Sequence, residues 1–177
     1  MSNFKEDLRK VKAFVFDVDG VFTDNLMYCF ANGEQVRAFN GKDGFAVRFA
    51  QKQGFPIGII SAGRENEGAI KRLQYLDITD LYMGSFEKTE AMEHFAKKYN
   101  LDFDSVLYMG DDIPDFPVLK MVGTPTCPAD AAVEVKLISK YISNLNGGDG
   151  CVRDVIEQVL RAQGKWVDLS IDKPEIL

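Results

Sequence analysis

Two aspartates one residue apart close the apolar run Val-Lys-Ala-Phe-Val-Phe-Asp-Val-Asp-Gly-Val-Phe-Thr-Asp, residues 11–24. Carboxylates this close repel each other, and at the end of an apolar stretch they are costly unless a cation or a proton relieves them. A hard divalent ion is the natural relief. Mg²⁺ takes oxygen ligands and keeps several waters, so one or two carboxylates and a substrate phosphate complete its shell. Ser61, Lys88 and Asp111-Asp112 follow at comparable places, after an apolar run or at the start of a helical pattern. Singly, each has a plain structural reading. Asp17 and Asp19 read as solvated turn residues, Ser61 as a cap, Lys88 as a solvated first-turn lysine, and Gly110-Asp111-Asp112 as a loop and cap.

Taken together, these residue types suit phosphoryl transfer to a carboxylate. Asp17 is expected to attack phosphorus in line, a recognised covalent route for carboxylates. Asp19, two residues along an extended segment, is expected to protonate the leaving alkoxide and then to deprotonate the attacking water. Mg²⁺ is expected on Asp17, Asp111 and the backbone carbonyl of Asp19, with Ser61 and Lys88 on the remaining phosphoryl oxygens.

The elements that must position these residues are legible as alternating strands and helices. The first run predicts a buried strand ending at Asp17, because β-branched and aromatic residues fill it and Gly20 breaks it. Further strands are predicted at 56–60, at 81–83, at 105–109, after Gly123 and at 141–142. Helices are predicted over 42–53, 65–75, 87–99, 116–121, 131–138 and 151–163. The fold class is therefore α/β, a Rossmann-like parallel sheet with helices on both faces, and its ligand crevice lies at the carboxyl ends of the strands. Leu26 to Phe30 and Gln35 to Phe39 flank Asn32-Gly33 and read as a β-hairpin inserted after the first strand. A lone hairpin is marginal in water, so it either packs on another subunit, the favoured reading, or folds over the site.

At 177 residues and 46% hydrophobic, the chain is read as one domain over 1–166 with a flexible tail over 167–177. A net charge of −6 without a basic block argues against nucleic acid or an anionic membrane as partner. Three dispersed cysteines and a single histidine exclude a Cys/His zinc site and suit reduced thiols in a cytoplasmic protein. The charged start has no signal-peptide core, and the apolar runs are of strand length. His94 and Trp166 read as structural.

The Asp-x-Asp-Gly-Val-x-Thr-Asp element, the strand-end Ser61, Lys88 and Gly-Asp-Asp-Ile-Pro-Asp at 110–115 resemble the haloacid dehalogenase superfamily of phosphatases. More closely, the chain is similar to the 3-deoxy-D-manno-octulosonate 8-phosphate (KDO 8-phosphate) phosphatase family. That similarity rests on Asn-Gly-Lys-Asp-Gly at 40–44, Gly-Gly-Asp-Gly-Cys-Val-Arg-Asp at 147–154 and Leu-Arg-Ala-Gln-Gly-Lys at 160–165. The resemblance implies a capless, Mg²⁺-dependent enzyme of lipopolysaccharide precursor synthesis, assembled by its hairpin into a homotetramer. It implies substrate contacts from Asp19, Asn40, Gly41, Lys42, Asp43, Gly44, Arg48, Arg64, Arg72 and Lys88. Arg153 is implied there too, on a Gly-Gly-x-Gly tail that closes a neighbouring subunit's site, so a chain cut before Gly147 is expected to keep its fold. Arg64 and Arg72 lie eight apart on a predicted helix, within about 80° of one another, where they could grip a sugar carboxylate or simply answer Glu65 and Glu67. The second motif, Ser-Ala-Gly-Arg, is one residue longer than the Thr-Gly-Arg the resemblance implies. Two other readings stand beside this one, a phosphatase of a nine-carbon sialic-type sugar acid 9-phosphate and a non-catalytic tetrameric module binding a phospho-ligand or partner.

Overall fold

A computed structural model of the chain describes residues 4–63 and 66–167. After α1 (Phe4–Lys10), β1 (Ala13–Phe16) enters the centre of a six-stranded sheet. The hairpin β2 (Tyr28–Cys29) and β3 (Gln35–Val36) follows, then α2 (Gly41–Lys52), β4 (Ile57–Ser61), α3 (Glu67–Tyr75), β5 (Asp80–Met83) and α4 (Lys88–Tyr99). The remainder is β6 (Val106–Met109), α5 (Phe116–Met121), β7 (Thr124–Cys127), α6 (Val133–Ile138), β8 (Tyr141–Ile142) and α7 (Cys151–Ala162). The strand order is β5-β4-β1-β6-β7-β8, and every pair is parallel. The chain steps outward from β1 through β4 to β5, then returns to the other side of β1 with β6. That reversal opens a crevice at the carboxyl end of β1, where Asp17 sits.

The strand is apolar throughout because both faces are covered. Phe14 and Phe16, ring centroids 6.2 Å apart, join the layer containing Phe49 of α2 and Val152, Ile156 and Val159 of α7. Ala13 and Val15 face Met92 and Phe95 of α4 and Val118 and Leu119 of α5. Burying each phenylalanine contributes roughly 1.5–3 kcal/mol.

Four differences from expectation have physical causes. The segment after Asp17 is a turn rather than an extended stretch, since the carbonyl of Val18 accepts from the amides of Val21, Phe22 and Thr23. The hairpin ladder is short, with only Tyr28↔Val36 and Cys29↔Gln35 paired. The α1 helix has no sequence signature of its own and is held by tertiary contacts: Leu8 is buried, and the Gln163 side chain donates to the carbonyls of Leu8 and Val11 at 3.0 and 2.8 Å. Finally, α7 is core. Val152, Ile156, Val159 and Leu160 are fully buried, so a chain cut before Gly147 would lose one wall of the layer below β1. Among the described residues, no helix is long and apolar enough to cross a membrane.

Candidate active site

Asp17, Lys88, Asp111 and Asp115 meet where β1, α4 and β6 converge. The amide of Asp17 donates to the carbonyl of Met109 at 3.0 Å, which pins the strand end to its neighbour. Lys88 opens α4 and is buried at 3% exposure; its Nζ lies 2.6 Å from Asp17 Oδ2 and 2.6 Å from Asp115 Oδ1. Asp115 Oδ1 also accepts from the Tyr108 hydroxyl at 2.5 Å, and its Oδ2 accepts from the amides of Asp111 and Asp112 at 3.0 and 3.3 Å. Both oxygens of Asp115 are thus engaged. It therefore serves as the anchor that aims Lys88 at Asp17 and ties down the 110–112 loop.

The electrostatics of this cluster call for a cation. Carboxylate oxygens of Asp17, Asp111 and Asp115 lie within 4.8 Å of one another. Burial and then the charge of Asp115 push Asp17 up to about 7, and burial with Asp115 and Asp17 pushes Asp111 up to about 8. Burial pulls the Lys88 ammonium down, but Asp17 and Asp115 outweigh it and hold it above its ordinary value. One ammonium leaves three carboxylates short of positive charge. An all-oxygen donor set fits a hard divalent ion. Among the described residues, Asp17, Asp111 and Asp115 are the carboxylates placed to hold one. Gly20 is required at the same place: at φ +79° it permits the turn, and a Cβ there would overlap the Asp111 carboxylate.

Asp17, Asp19, Asn25, Ser61, Lys88 and Asp111 line one cleft of about 140 Å³. Ser61 is buried at the end of β4, and its Oγ accepts from the amide of Gly63 at 3.2 Å. Asn25 reaches Asp111 Oδ2 at 3.5 Å. Asp19 is held by Arg37 of the hairpin, Nε to Oδ1 at 2.6 Å and Nη2 to Oδ2 at 3.1 Å. The hairpin thus folds over its own site, tied also by the Asn66 side chain to the carbonyl of Gln35 at 2.9 Å. Its residues Leu26, Tyr28, Phe30 and Val36 stay exposed, while Phe39 packs on Phe22.

The positions implied by resemblance divide. Asn40 caps α2 and donates to the Gly148 carbonyl at 3.0 Å, and Gly41 and Lys42 are exposed in the first turn. Asp43 is fully buried and accepts from the amide of Arg153 at 2.7 Å; burial pushes it up to about 6. Gly44 lies against the Arg72 guanidinium. Arg48 turns away toward the end of α3, bonding the Tyr75 carbonyl at 2.7 Å and lying over that ring. Arg72 lines a second, larger cavity of about 1110 Å³ between the hairpin and α3. Arg153 pairs with Glu157 and stacks on Phe45 and Trp166. Within one chain, then, Asp43, Arg48 and Arg153 are committed to the scaffold rather than brought to the cleft. The Gly147–Gly148 segment packs on the loop after β1 of its own chain, with the amide of Gly148 donating to Val21 at 3.0 Å. Arg64 lies outside the described residues.

Sequence reasoning did not single out Arg37, Asp115, Tyr108 or Asn25. Asp115 had a signal, as the last residue of the Gly-Asp-Asp-Ile-Pro-Asp element. Tyr108, Asn25 and Arg37 had none, because only the fold carries them to the cleft.

The profile of the haloacid dehalogenase-like hydrolases matches residues 72–155. The chain is 37% identical over 155 residues to the 3-deoxy-D-manno-octulosonate 8-phosphate phosphatase of Escherichia coli K12, covering 88% of this chain and 82% of that one. Its fold superposes on the Yersinia pestis phosphatase of the same name with a TM-score of 0.90 at 30% identity, over 98% of this chain and 91% of that one. It also superposes on the Moraxella catarrhalis phosphatase, solved with magnesium, phosphate and KDO, with a TM-score of 0.87 at 27% identity, over 91% and 92% of the two chains.

Proposed function

The chain belongs to the haloacid dehalogenase-like hydrolases, in the family of 3-deoxy-D-manno-octulosonate 8-phosphate phosphatases, and from that premise we propose that it hydrolyses KDO 8-phosphate to KDO and phosphate. It is a phosphoric monoester hydrolase by that membership. The observation that carries the mechanism is the buried bridge from Lys88 to both Asp17 and Asp115 beside Asp111.

In this reading the Asp17 carboxylate forms a bond to phosphorus as the ester P–O bond breaks, giving an aspartyl-phosphate. Asp19 gives its proton to the departing alkoxide, then removes one from the water that attacks phosphorus and releases Asp17. Lys88 and Ser61 orient the phosphoryl oxygens, and the ammonium of Lys88 offsets their charge. Asp17, Asp111 and the carbonyl of Asp19 would hold Mg²⁺, whose positive charge would offset that of the phosphoryl group. The pathway assigned is lipopolysaccharide precursor synthesis.

The assembly assigned is a homotetramer joined through the hairpin. Its support is the exposed apolar cluster Leu26, Tyr28 and Phe30, each more than half exposed in the isolated chain.

The test is phosphate release from KDO 8-phosphate, nine-carbon sugar acid 9-phosphates and neutral sugar phosphates, with Mg²⁺ and with EDTA. Strong preference for KDO 8-phosphate that disappears with EDTA supports the assignment. Preference for a nine-carbon ester would move the substrate, and no turnover of any ester would overturn the reaction.

A further inference from the structure

Arg37 grips the Asp19 carboxylate at the rim of the cleft, and neither the motifs nor the resemblance assigns it a role. Its side chain is only 6% exposed, although it is carried by an otherwise exposed hairpin. Nε and Nη2 hold both oxygens of Asp19, while Nη1 is buried and has no hydrogen-bond partner among the described residues. An orphaned guanidinium nitrogen is costly to bury, so it marks a place where an acceptor is expected.

Its surroundings say which acceptor. Arg37 lines the cavity of about 1110 Å³ that opens beside the cleft, and Arg72 and Lys71 line it too. Lys71 is paired with Glu67 at 2.5 Å. Arg72 has no carboxylate partner among the described residues. Arg37, whose spare donor lies just behind the cavity wall, and Arg72 therefore line a cavity one side chain away from the phosphoryl-transfer cleft. A guanidinium matches a carboxylate bidentately, and a neutral hydroxyl cannot replace that match.

Building on the phosphatase reading proposed above, we infer that Arg37 is a specificity residue that exchanges partners, holding Asp19 in the free enzyme and turning to the carboxylate of an acidic sugar phosphate when one enters. Asp19 and the substrate's acid compete for the same donors. An acidic substrate thereby frees Asp19 to face the leaving oxygen, and a neutral sugar phosphate leaves it clasped. The preference for an acidic substrate then arises in kcat as well as in KM, because the substrate's own charge completes the site.

The experiment compares wild type, Arg37→Gln and Arg37→Lys on KDO 8-phosphate and a neutral hexose 6-phosphate, with binding of free KDO measured calorimetrically beside the kinetics. Hydrolysis of p-nitrophenyl phosphate by wild type checks the reaction itself, so loss of that activity would sink the phosphatase reading separately. The expected result is a wild-type preference for the acidic ester that falls at least 10-fold in Arg37→Gln, KDO affinity at least 10-fold weaker, and hexose phosphate turnover faster, because Asp19 is no longer clasped. Arg37→Lys, which keeps the charge without the fork, should fall between. An unchanged acidic-to-neutral ratio of kcat/KM, or unchanged KDO affinity, in folded Arg37→Gln overturns the proposal; if Arg37→Gln fails to fold, wild-type values in Arg37→Lys overturn it equally.

Discussion

The two walls of the cleft are built differently. The floor is a strand-end cluster in which Lys88, Asp115 and Tyr108 are buried and every polar contact is made inside the protein. The opposite wall is a hairpin of two paired residues per strand, exposed along most of its length and tied down by Arg37 and Asn66. Reaction chemistry is shared by all phosphate monoesters and tolerates a rigid floor, whereas recognition must admit and release a particular sugar. Pre-organisation belongs where charge develops; the floor has it and the hairpin does not.

Asp17→Asn separates the walls most sharply. It removes the proposed nucleophile without disturbing the hairpin, so kcat should fall by about 10³-fold or more. Affinity for KDO should hold within about twofold on calorimetry, since Arg37 and Arg72 are untouched. A comparable loss of affinity would show that floor and wall are one unit.

Asp115→Ala attacks the floor through its anchor. Lys88, Tyr108 and the amides of Asp111 and Asp112 would all lose their acceptor, and breaking a buried charge network costs about 3–5 kcal/mol. Tm should fall by roughly 6–20 °C. A shift under about 2 °C would mean that water replaces the carboxylate and that the floor is less rigid than its contacts imply.

The floor was more legible in the sequence than the wall, for a physical reason. Buried parallel strands must be apolar on both faces, so β1, β4 and β6 announce themselves, and the polar residue at the end of each is conspicuous. Asp17 and Asp111 stand just past those strand ends and Ser61 at one, with Asp19 in the turn after β1 and Lys88 at a helix start. Arg37 has no such signal, because nothing in Gln-Val-Arg-Ala-Phe says that a hairpin will fold back onto Asp19. Asp43 and Arg153 are assigned to substrate by resemblance, and within one chain the Asp43 carboxylate accepts from the Arg153 amide and so joins α2 to α7. Short α1 escaped for the same reason as Arg37: its stabilisation comes from Gln163, more than a hundred residues away.

Asp43 tests where the boundary between site and scaffold runs. Burial raises it from 3.8 to about 6, so the folded protein holds this proton more tightly than the unfolded chain does. The stability contributed by the neutral form is complete below about pH 4 and is lost as pH rises to about 6, a cost of about 3 kcal/mol that then stays constant. Asp43→Asn can still accept from the Arg153 amide but cannot ionise. Denaturant unfolding at pH 4 and pH 7 should therefore show wild type losing about 3 kcal/mol relative to the variant over that interval. Parallel curves would mean that Asp43 is not desolvated in the folded protein, which would return it to the substrate side of the boundary.

Arg48 should give the smallest effect, and for that reason it sharpens the comparison. The resemblance places it with the substrate, but its guanidinium bonds the Tyr75 carbonyl, lies 4.7 Å from that ring's centroid and sits 3.4 Å from Asp77 at the exposed end of α3. These contacts are half-exposed and screened, so Arg48→Ala should cost about 1 kcal/mol of stability. It should change kcat/KM for KDO 8-phosphate less than about twofold, because within one chain no part of the side chain lines either cavity. A loss of 10-fold or more, with stability little changed, would place Arg48 against a substrate held by a neighbouring copy. Recognition would then be shared between subunits while the chemistry stays within each one.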